Sequence, residues 1–284
     1  MNLGFYRTPV DLSAAGKHAP LLKNLPRDVG ALTRVVQGLL IHEHMAEAYG
    51  VKLSPERHAE AHVRPLEAML DRIVAADPRP LSAQRAPEGR YVCVCRSFTL
   101  LMVALLRHQG VPARARCGFG TYFEKGKGYD HWVAEYWREA EKRWVMVDAQ
   151  IDDRQRQMFG IAIDTLDVKR DQFLVAGDAW RHCRADNLDP KSFGILDMWG
   201  YWFIASNVIR DLAALNNREM LPWDVWGAMT RDDSQIDFAL FDRLAELTHE
   251  PDGHFDELRA IHRDSRFAVP GTVFNAVLNR TEAA

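Results

Sequence analysis

The chain has 284 residues, 47% of them hydrophobic, and its 36 basic and 39 acidic side chains leave a formal net charge of −3. A chain of this length and composition can bury a sizeable core. The near balance of charge excludes a general electrostatic attraction to nucleic acid or to an anionic membrane surface.

The cellular compartment is indicated by what the sequence lacks. The first residues have no apolar signal-peptide stretch, and no run of about 18 apolar residues occurs. The four cysteines, at positions 93, 95, 117 and 183, form no recognisable disulfide framework in a chain this long. We therefore predict a cytoplasmic protein that binds neither nucleic acid nor membrane.

Two long helices are predicted in the first part of the chain. Residues 27–49 place apolar side chains mostly at three- and four-residue steps, which is typical of a helix. Ser54 and Pro55 have the residue types preferred at an N-cap and a first helical position, and they predict a helix that continues to about Ala76. Pro65 falls inside this second helix, where a proline kinks the axis.

A buried helix with a cysteine at its start follows. The eleven residues from Phe98 to His108 contain only two charged or titratable side chains, which predicts a helix buried on nearly all sides. Gly110 and Pro112 are residue types that end a helix. Cys95 falls at the beginning, where unpaired N–H groups and the positive end of the helix dipole favour a thiolate.

Two short strands carry the other groups of a candidate site. Residues 129–137 alternate after His131, which predicts a strand, and residues 143–148 form a second apolar strand that ends on Asp148. A thiol, an imidazole and a carboxylate on these elements are the nucleophile, base and orienting group of cysteine catalysis. Considered alone, Cys95 is more often a small buried residue than a nucleophile.

The same segments resemble the transglutaminase-like superfamily. The resemblance rests on four pieces in the right order: VCRSF (94–98), LLRHQGVPAR (105–114), HWV (131–133) and WVMVD (144–148). It implies a bacterial-type, stand-alone member with an α+β, papain-like core, in which a central helix packs on an antiparallel sheet. It also implies that Cys95, His131 and Asp148 form a catalytic triad.

Around this core the whole chain, residues 1–284, is predicted to be one transglutaminase-like domain. A helical N-terminal lobe (27–77) precedes the catalytic core (91–150), and a mainly helical addition (171–284) follows it. In the addition we predict helices over 171–184, 198–215, 238–248 and 254–267, and a further helix that begins at residue 221. Four tryptophans of this part, at positions 199, 202, 223 and 226, are interpreted mainly as packing residues.

Several site assignments stay open on sequence grounds. Asp130, Asp152 and Asp153 compete with Asp148 as the group that orients the histidine. The backbone N–H of Cys95 is a natural oxyanion donor, and the second donor is unassigned.

The other cysteines allow two further hypotheses. Cys93 is a rival thiol that we interpret as structural, although it could form a disulfide with an oxidised Cys95. Cys93 and Cys95 with Cys117, His131 or Cys183 would have zinc-ligand chemistry, but the spacing is not that of a C-x2-C pair. We therefore predict no metal and no other cofactor.

The predicted function is cysteine-dependent acyl transfer through a thioester on an amide or related carbonyl. The substrate would be a peptide, a protein or a small amide, and the thioester would end in hydrolysis or transamidation. The alternative is a non-catalytic transglutaminase-like module that binds a peptide or protein partner in the same cleft. The sequence does not distinguish hydrolysis from transamidation, and it leaves the substrate and the oligomeric state open.

Overall fold

The computed structural model describes residues 2–186 and 188–284. The helices are α1 (Val29–Leu39), α2 (Pro55–His58), α3 (Leu66–Ala76), α4 (Cys95–His108), α5 (Asp153–Phe159), α6 (Ala176–Ala185), α7 (Tyr201–Leu215), α8 (Phe238–His249) and α9 (Phe255–Ile261). The strands are β1 (Leu40–His42), β2 (Tyr91–Cys93), β3 (Ala113–Gly120), β4 (Gly128–Arg138), β5 (Arg143–Val147), β6 (Phe173–Val175), β7 (Phe193–Ile195), β8 (Met198–Trp199), β9 (Asp224–Val225), β10 (Thr272–Asn275) and β11 (Arg280–Ala283). The fold is α+β, as predicted.

Helix α4 is the central element. Every side chain from Cys95 to Arg107 is buried, as the nearly uninterrupted apolar sequence predicts. The helix packs against β3 and β4 on one side and against α1 on another. It ends before Gly110, whose φ of +77° lies in the left-handed region that glycine tolerates best.

The main sheet runs in the order β6-β3-β4-β7-β8, and β5 also pairs with β4. β3 and β4 are antiparallel over the whole length of β3, whereas β7 runs parallel to β4. On the edge of β4 away from β3, β5 pairs with residues 134–138 and β7 with residues 128–129. Within the described part of the chain, residues 130–133 therefore have no strand partner on that edge.

The first predicted helix is wrong beyond Leu39. The chain becomes extended at Leu40 (φ −116°, ψ 150°) and forms β1, which pairs in parallel with β2. A 3₁₀ helix over Glu43–Tyr49 follows. The buried pairing of β1 with β2 overrides the helical spacing of the apolar residues. The spacing of residues within one segment does not reveal a pairing with a distant segment.

The second predicted helix is interrupted. α2 is followed by a 3₁₀ turn over Ala59–His62, and Pro65 occupies the N-cap position of α3 with φ −72° and ψ 136°. A proline lacks the N–H that a helix interior needs, so the chain begins a new helix after Pro65 instead of kinking an old one.

The C-terminal part also contains more strand than predicted. β6 precedes α6, and the helix expected from Leu221 is absent from the described residues because β9 pairs there with β10. The tail forms the hairpin of β10 and β11, and α9 ends at Ile261 instead of residue 267.

The core joins the three parts of the chain. The main hydrophobic cluster includes Leu12 from the N-terminal segment, Leu101 from α4 and Leu212 from α7. The proposed limits of the domain and its lobes stay a prediction. Within residues 2–186 and 188–284, no helix combines the length and hydropathy needed to cross a bilayer.

A buried ion network lies behind β3. Arg116 donates to both carboxylate oxygens of Asp211 on α7, at 3.0 and 2.8 Å, and forms an ion pair with Glu135 at 3.3 Å. Burial alone raises the pKa of Glu135, but the charges of Arg114 and Arg116 outweigh burial and lower this pKa to about 2. Arg116 is therefore an internal tie between sheet and helix, and the Arg114 side chain on the same strand is also buried.

We expect Arg116→Met to lower the free energy of unfolding by about 3–5 kcal/mol, because it leaves buried carboxylates without their partner. Urea unfolding followed by circular dichroism measures this change. The matched control is Arg184→Met, which removes an exposed ion pair with Asp242 and should change the unfolding midpoint far less. Equal losses in the two variants would show that the buried network is not a main source of stability.

Candidate active site

The imidazole of His131 is held by the carboxylate of Asp148. His131 Nε2 lies 2.8 Å from Asp148 Oδ2, and both side chains are buried. Burial alone raises the pKa of Asp148, but the charge of His131 and three hydrogen bonds outweigh burial and lower it. An ionised carboxylate only accepts hydrogen bonds, so the His131 proton belongs on Nε2 and Nδ1 is left free as a base.

Both oxygens of the Asp148 carboxylate are occupied. The hydroxyl of Tyr122 donates to Oδ2 at 2.6 Å, and the backbone N–H of Gln150 donates to Oδ1 at 3.0 Å. The Asp148 N–H in turn donates to the carbonyl oxygen of Thr165 at 2.8 Å. These bonds fix the carboxylate and, through it, the orientation of the imidazole ring.

The competing carboxylates have other partners. Asp130 accepts a hydrogen bond from the Asn207 amide at 2.8 Å, and Asp152 accepts one from the Tyr49 hydroxyl at 2.7 Å. Asp153 is exposed in the first turn of α5. Throughout the described residues, none of the three is hydrogen-bonded to the candidate base.

Cys95 is the first residue of α4, and Val94 before it is extended. The backbone N–H groups of Arg96 and Trp132 lower the pKa of the Cys95 thiol. Trp132 directly follows His131 and lies in the part of β4 that β5 and β7 leave unpaired. The thiol at the start of α4 therefore lies near β4, on the side of the residue that follows the imidazole.

The structure does not join the thiol and the imidazole directly. In the described part of the chain, the hydrogen bonds of the His131 ring end at Asp148. A catalytic hydrogen bond is often long in the absence of substrate, and tightens when substrate binds.

The thiol of Cys95 is neutral in this closed arrangement. Cys95 is only 6% exposed, and burial raises its pKa well above the usual range. The carboxylates of Asp130 and Asp148 raise it further, while the N–H groups of Arg96 and Trp132 lower it. Desolvation thus outweighs the local dipoles that favour a thiolate at the helix start, and the predicted thiolate stays a prediction.

Aromatic side chains cover the imidazole. The Phe123 and His131 rings pack edge to face, with their centroids 5.1 Å apart. The Phe159 ring packs against Phe123 in the same way, with a centroid distance of 5.8 Å. Tyr122 lies at 6.2 Å from the same imidazole. The sequence analysis did not predict this cover, whose signal is the adjacent pair of aromatic residues that follows β3.

His42 is a second residue that the sequence did not reveal at the site. It lies on β1 and pairs with Cys93 of β2, the strand that precedes α4. Burial, His44 and His131 lower the pKa of His42 to about 3, so its ring is neutral. Only the pairing of β1 with β2 brings it here, and that pairing has no local sequence signal.

The remaining cysteines are buried and reduced. Cys93, Cys117 and Cys183 form no disulfide within the described residues, and burial raises the pKa of each thiol. Among residues 2–186 and 188–284, no three His, Cys, Asp or Glu side chains are arranged to hold a metal ion.

The comparisons with known proteins agree with this arrangement. Residues 52–149 match the family model of the transglutaminase-like superfamily. The matched segment forms a transglutaminase-like core. It contains α4, the strand β4 with His131, and Asp148 directly after β5, so the predicted resemblance is confirmed. At the level of the superfamily, a transglutaminase-like core indicates cysteine-based catalysis.

The other comparisons do not bear on the transglutaminase-like assignment. The chain is similar to a crystal structure called "Putative Cysteine Protease from Cytophaga hutchinsonii", with 17% sequence identity and a TM-score of 0.34. The similarity covers 52% of this chain and 42% of that chain, so this chain spans less than half the length of that protein. No curated protein matches the sequence.

We expect iodoacetamide to alkylate Cys95 slowly at neutral pH, with a rate that rises only well above pH ~8.5, the pKa of an unperturbed thiol. A raised pKa leaves little reactive thiolate at neutral pH, and the thiolate fraction grows as the pH passes that pKa. Phe123→Ala should admit water, reduce the desolvation, and move the alkylation curve to lower pH. Site-resolved mass spectrometry measures the rate at each pH.

The control variant is Phe274→Ala, which removes an exposed ring on β10. It should leave the alkylation curve unchanged. Fast alkylation of wild-type Cys95 at pH 7, or an equal shift in both variants, would contradict the buried neutral thiol.

Proposed function

We propose that this protein is an acyl-transfer enzyme in which Cys95, His131 and Asp148 act as nucleophile, base and orienting group. The observation that carries the proposal is the hydrogen bond from His131 Nε2 to Asp148 Oδ2, at 2.8 Å. With the ring proton on Nε2, Nδ1 is available as the base. The substrate is an amide or a related carbonyl of a peptide, a protein or a small molecule.

The reaction begins with proton transfer from Cys95 to His131 Nδ1. The thiolate attacks the carbonyl carbon, and the backbone N–H of Cys95 at the start of α4 donates to the oxygen that becomes negative. His131 then gives its proton to the leaving amine as the carbon–nitrogen bond breaks. A thioester on Cys95 results, and water or an amine attacks its carbonyl to release the product and the thiol.

Asp148 stabilises the imidazolium that forms in this sequence. Its carboxylate is ionised and receives the Tyr122 hydroxyl on the oxygen that faces the imidazole. The ionised carboxylate stabilises the positively charged imidazolium of His131 and does not itself take up the ring proton. Tyr122 is therefore a positioning residue that keeps the carboxylate in line with the ring.

The burial of Cys95 favours a second candidate function. A thiol that is 6% exposed and neutral does not attack a substrate until its cover moves. If the cover stays closed, the protein is a non-catalytic module that binds a peptide or protein partner through the transglutaminase-like core. Binding by such a module would not depend on the thiol.

We expect Cys95→Ala to reduce amide cleavage or transamidation by about 10⁴-fold or more, because no thioester forms without the sulfur. The assay measures amine release from a panel of peptides and small amides, and intact-protein mass spectrometry detects the acyl adduct. Cys93→Ala is the matched control, since it removes a buried thiol two residues away. Equal activity in wild type and Cys95→Ala would refute the cysteine mechanism.

We expect Asp148→Asn to lower kcat by about 10⁴-fold, because an amide at this position no longer fixes the tautomer with a proton on Nε2. KM should change far less than kcat, since Asp148 lies behind the imidazole. Tyr122→Phe should reduce kcat to a smaller extent, because one of the bonds to the carboxylate is lost. A loss in KM alone would assign Asp148 to substrate binding instead.

A further inference from the structure

Three basic side chains lie where the loop after α7 contacts the end of α9. Arg218 is in that loop, Arg259 is on α9, and His262 is the C-cap residue of the same helix. Arg259 and His262 are three residues apart, a spacing that places both side chains on one face of a helix. All three residues are half-buried, so they are partly shielded from water but open to a small solute.

Asn216 fixes the loop to α9. Its Nδ2 donates to the Leu258 carbonyl at 3.4 Å, and its Oδ1 accepts from Arg259 Nη1 at 2.9 Å. The backbone N–H of Arg218, two residues further along, donates to the Ala213 carbonyl at 2.9 Å in the turn that ends α7. Arg218 therefore belongs to a loop that contacts the Arg259 side chain directly.

The guanidinium of Arg259 is held with one edge free. The Phe5 ring lies against it, with the guanidinium carbon 4.6 Å from the ring centroid. Within the described residues its hydrogen bonding is confined to Nη1, so the edge formed by Nε and Nη2 has no protein acceptor. Two parallel N–H groups at such an edge match two oxygens of a carboxylate or of a phosphate group.

Two further nitrogen atoms of this group are buried without a partner. They are Nε of Arg218 and Nδ1 of His262, and neither has a hydrogen bond in the described part of the chain. An arginine Nε always carries a proton, so it is a donor that lacks an acceptor. A buried donor of this kind is unfavourable unless an acceptor reaches it.

The positive charge of the group has no carboxylate to balance it. Burial, and then the charges of Arg259 and Arg218, lower the pKa of His262 to about 4. Both guanidinium groups therefore act on the ring, and no carboxylate of the described residues offsets them. Among residues 2–186 and 188–284, neither arginine has an ion-pair partner. A water molecule would satisfy the free donors and leave this charge unbalanced, whereas an anion does both.

We propose that Arg218, Arg259 and His262 form a binding site for a phosphate-class oxyanion. The free edge of Arg259 binds two oxygens of the anion, and Arg218 Nε and His262 Nδ1 donate to the others. A tetrahedral anion presents oxygens in several directions, as donors from two separate segments need. A planar carboxylate presents only two oxygens, both in one plane.

This site is separate from the candidate active site. Arg107, near the end of α4, donates to Asn217 Oδ1 at 2.6 Å, so the loop after α7 lies at the C-terminal end of that helix. Cys95 begins the same helix, and a helix of 14 residues is about 20 Å long. Phosphate binding there is thus independent of the acyl-transfer function proposed above, and it gives the chain a second ligand.

Isothermal titration calorimetry of the full chain with inorganic phosphate tests the site, with the ionic strength held constant by sodium chloride. We expect saturable binding at one site. Phosphate should also raise the unfolding temperature, since a ligand that binds only the folded chain stabilises it. Arg218→Gln should weaken phosphate binding by about 10-fold or more, because a charge and a buried donor are lost.

The matched control is Arg181→Gln, because Arg181 is an exposed arginine of α6 without an ion pair in the part of the chain that the structure describes. It should bind phosphate as tightly as the wild type. Arg259→Lys keeps the positive charge but loses the planar edge, and it should weaken binding as well. His262→Phe keeps a planar ring without Nδ1 and should weaken binding by a smaller factor.

O-phosphoserine, titrated in the same way, distinguishes a free anion from a phosphoryl group on a larger molecule, because the tighter ligand is the form that the site accepts better. The absence of saturable binding up to ~10 mM phosphate would overturn the inference. So would equal phosphate affinity in the wild type and Arg218→Gln. Unfolding temperatures in chloride alone identify any variant that does not fold, and the wild-type titration tests the site without it.

Discussion

The structure depends on how the start of α4 fits the edge of β4. β5 and β7 pair with different parts of this edge and leave residues 130–133 open between them. The Trp132 N–H lies in this open part and lowers the pKa of the Cys95 thiol. The start of α4 is therefore near β4 at the point where that edge has no strand partner, next to His131.

Burial of charge is the second constraint on the fold. Arg116, Glu135 and Asp211 tie β3 and β4 to α7 in an interior from which water is excluded. Such pairs contribute little net stability relative to apolar residues, but they penalise any packing that separates them. They thus favour one alignment of α7 on the sheet. The same helix provides Asn207, which binds Asp130 near the candidate site.

The sequence predicted the parts of the fold that depend on local patterns. The apolar run of α4 indicated its burial, and the spacing around His131 and Asp148 indicated two strands that end near each other. It did not predict β1, because the ladder of Leu40 with Tyr91 joins residues far apart in the chain. His42 was missed for the same reason. The Tyr122 contact depends on the fold of a loop, which periodicity does not describe.

The electrostatics of the closed site explain how a neutral thiol fits a catalytic arrangement. Burial raises the pKa of Asp130 as well as that of Cys95, so a carboxylate that raises the pKa of the thiol is itself biased towards its neutral form. The pKa of Asp148 is lowered instead, so this carboxylate is biased towards its ionised form, and its charge faces His131. Proton transfer from sulfur to imidazole therefore creates a cation beside an ionised carboxylate. Water admitted with a substrate would stabilise the thiolate, because it would reduce the desolvation that raises the pKa of Cys95.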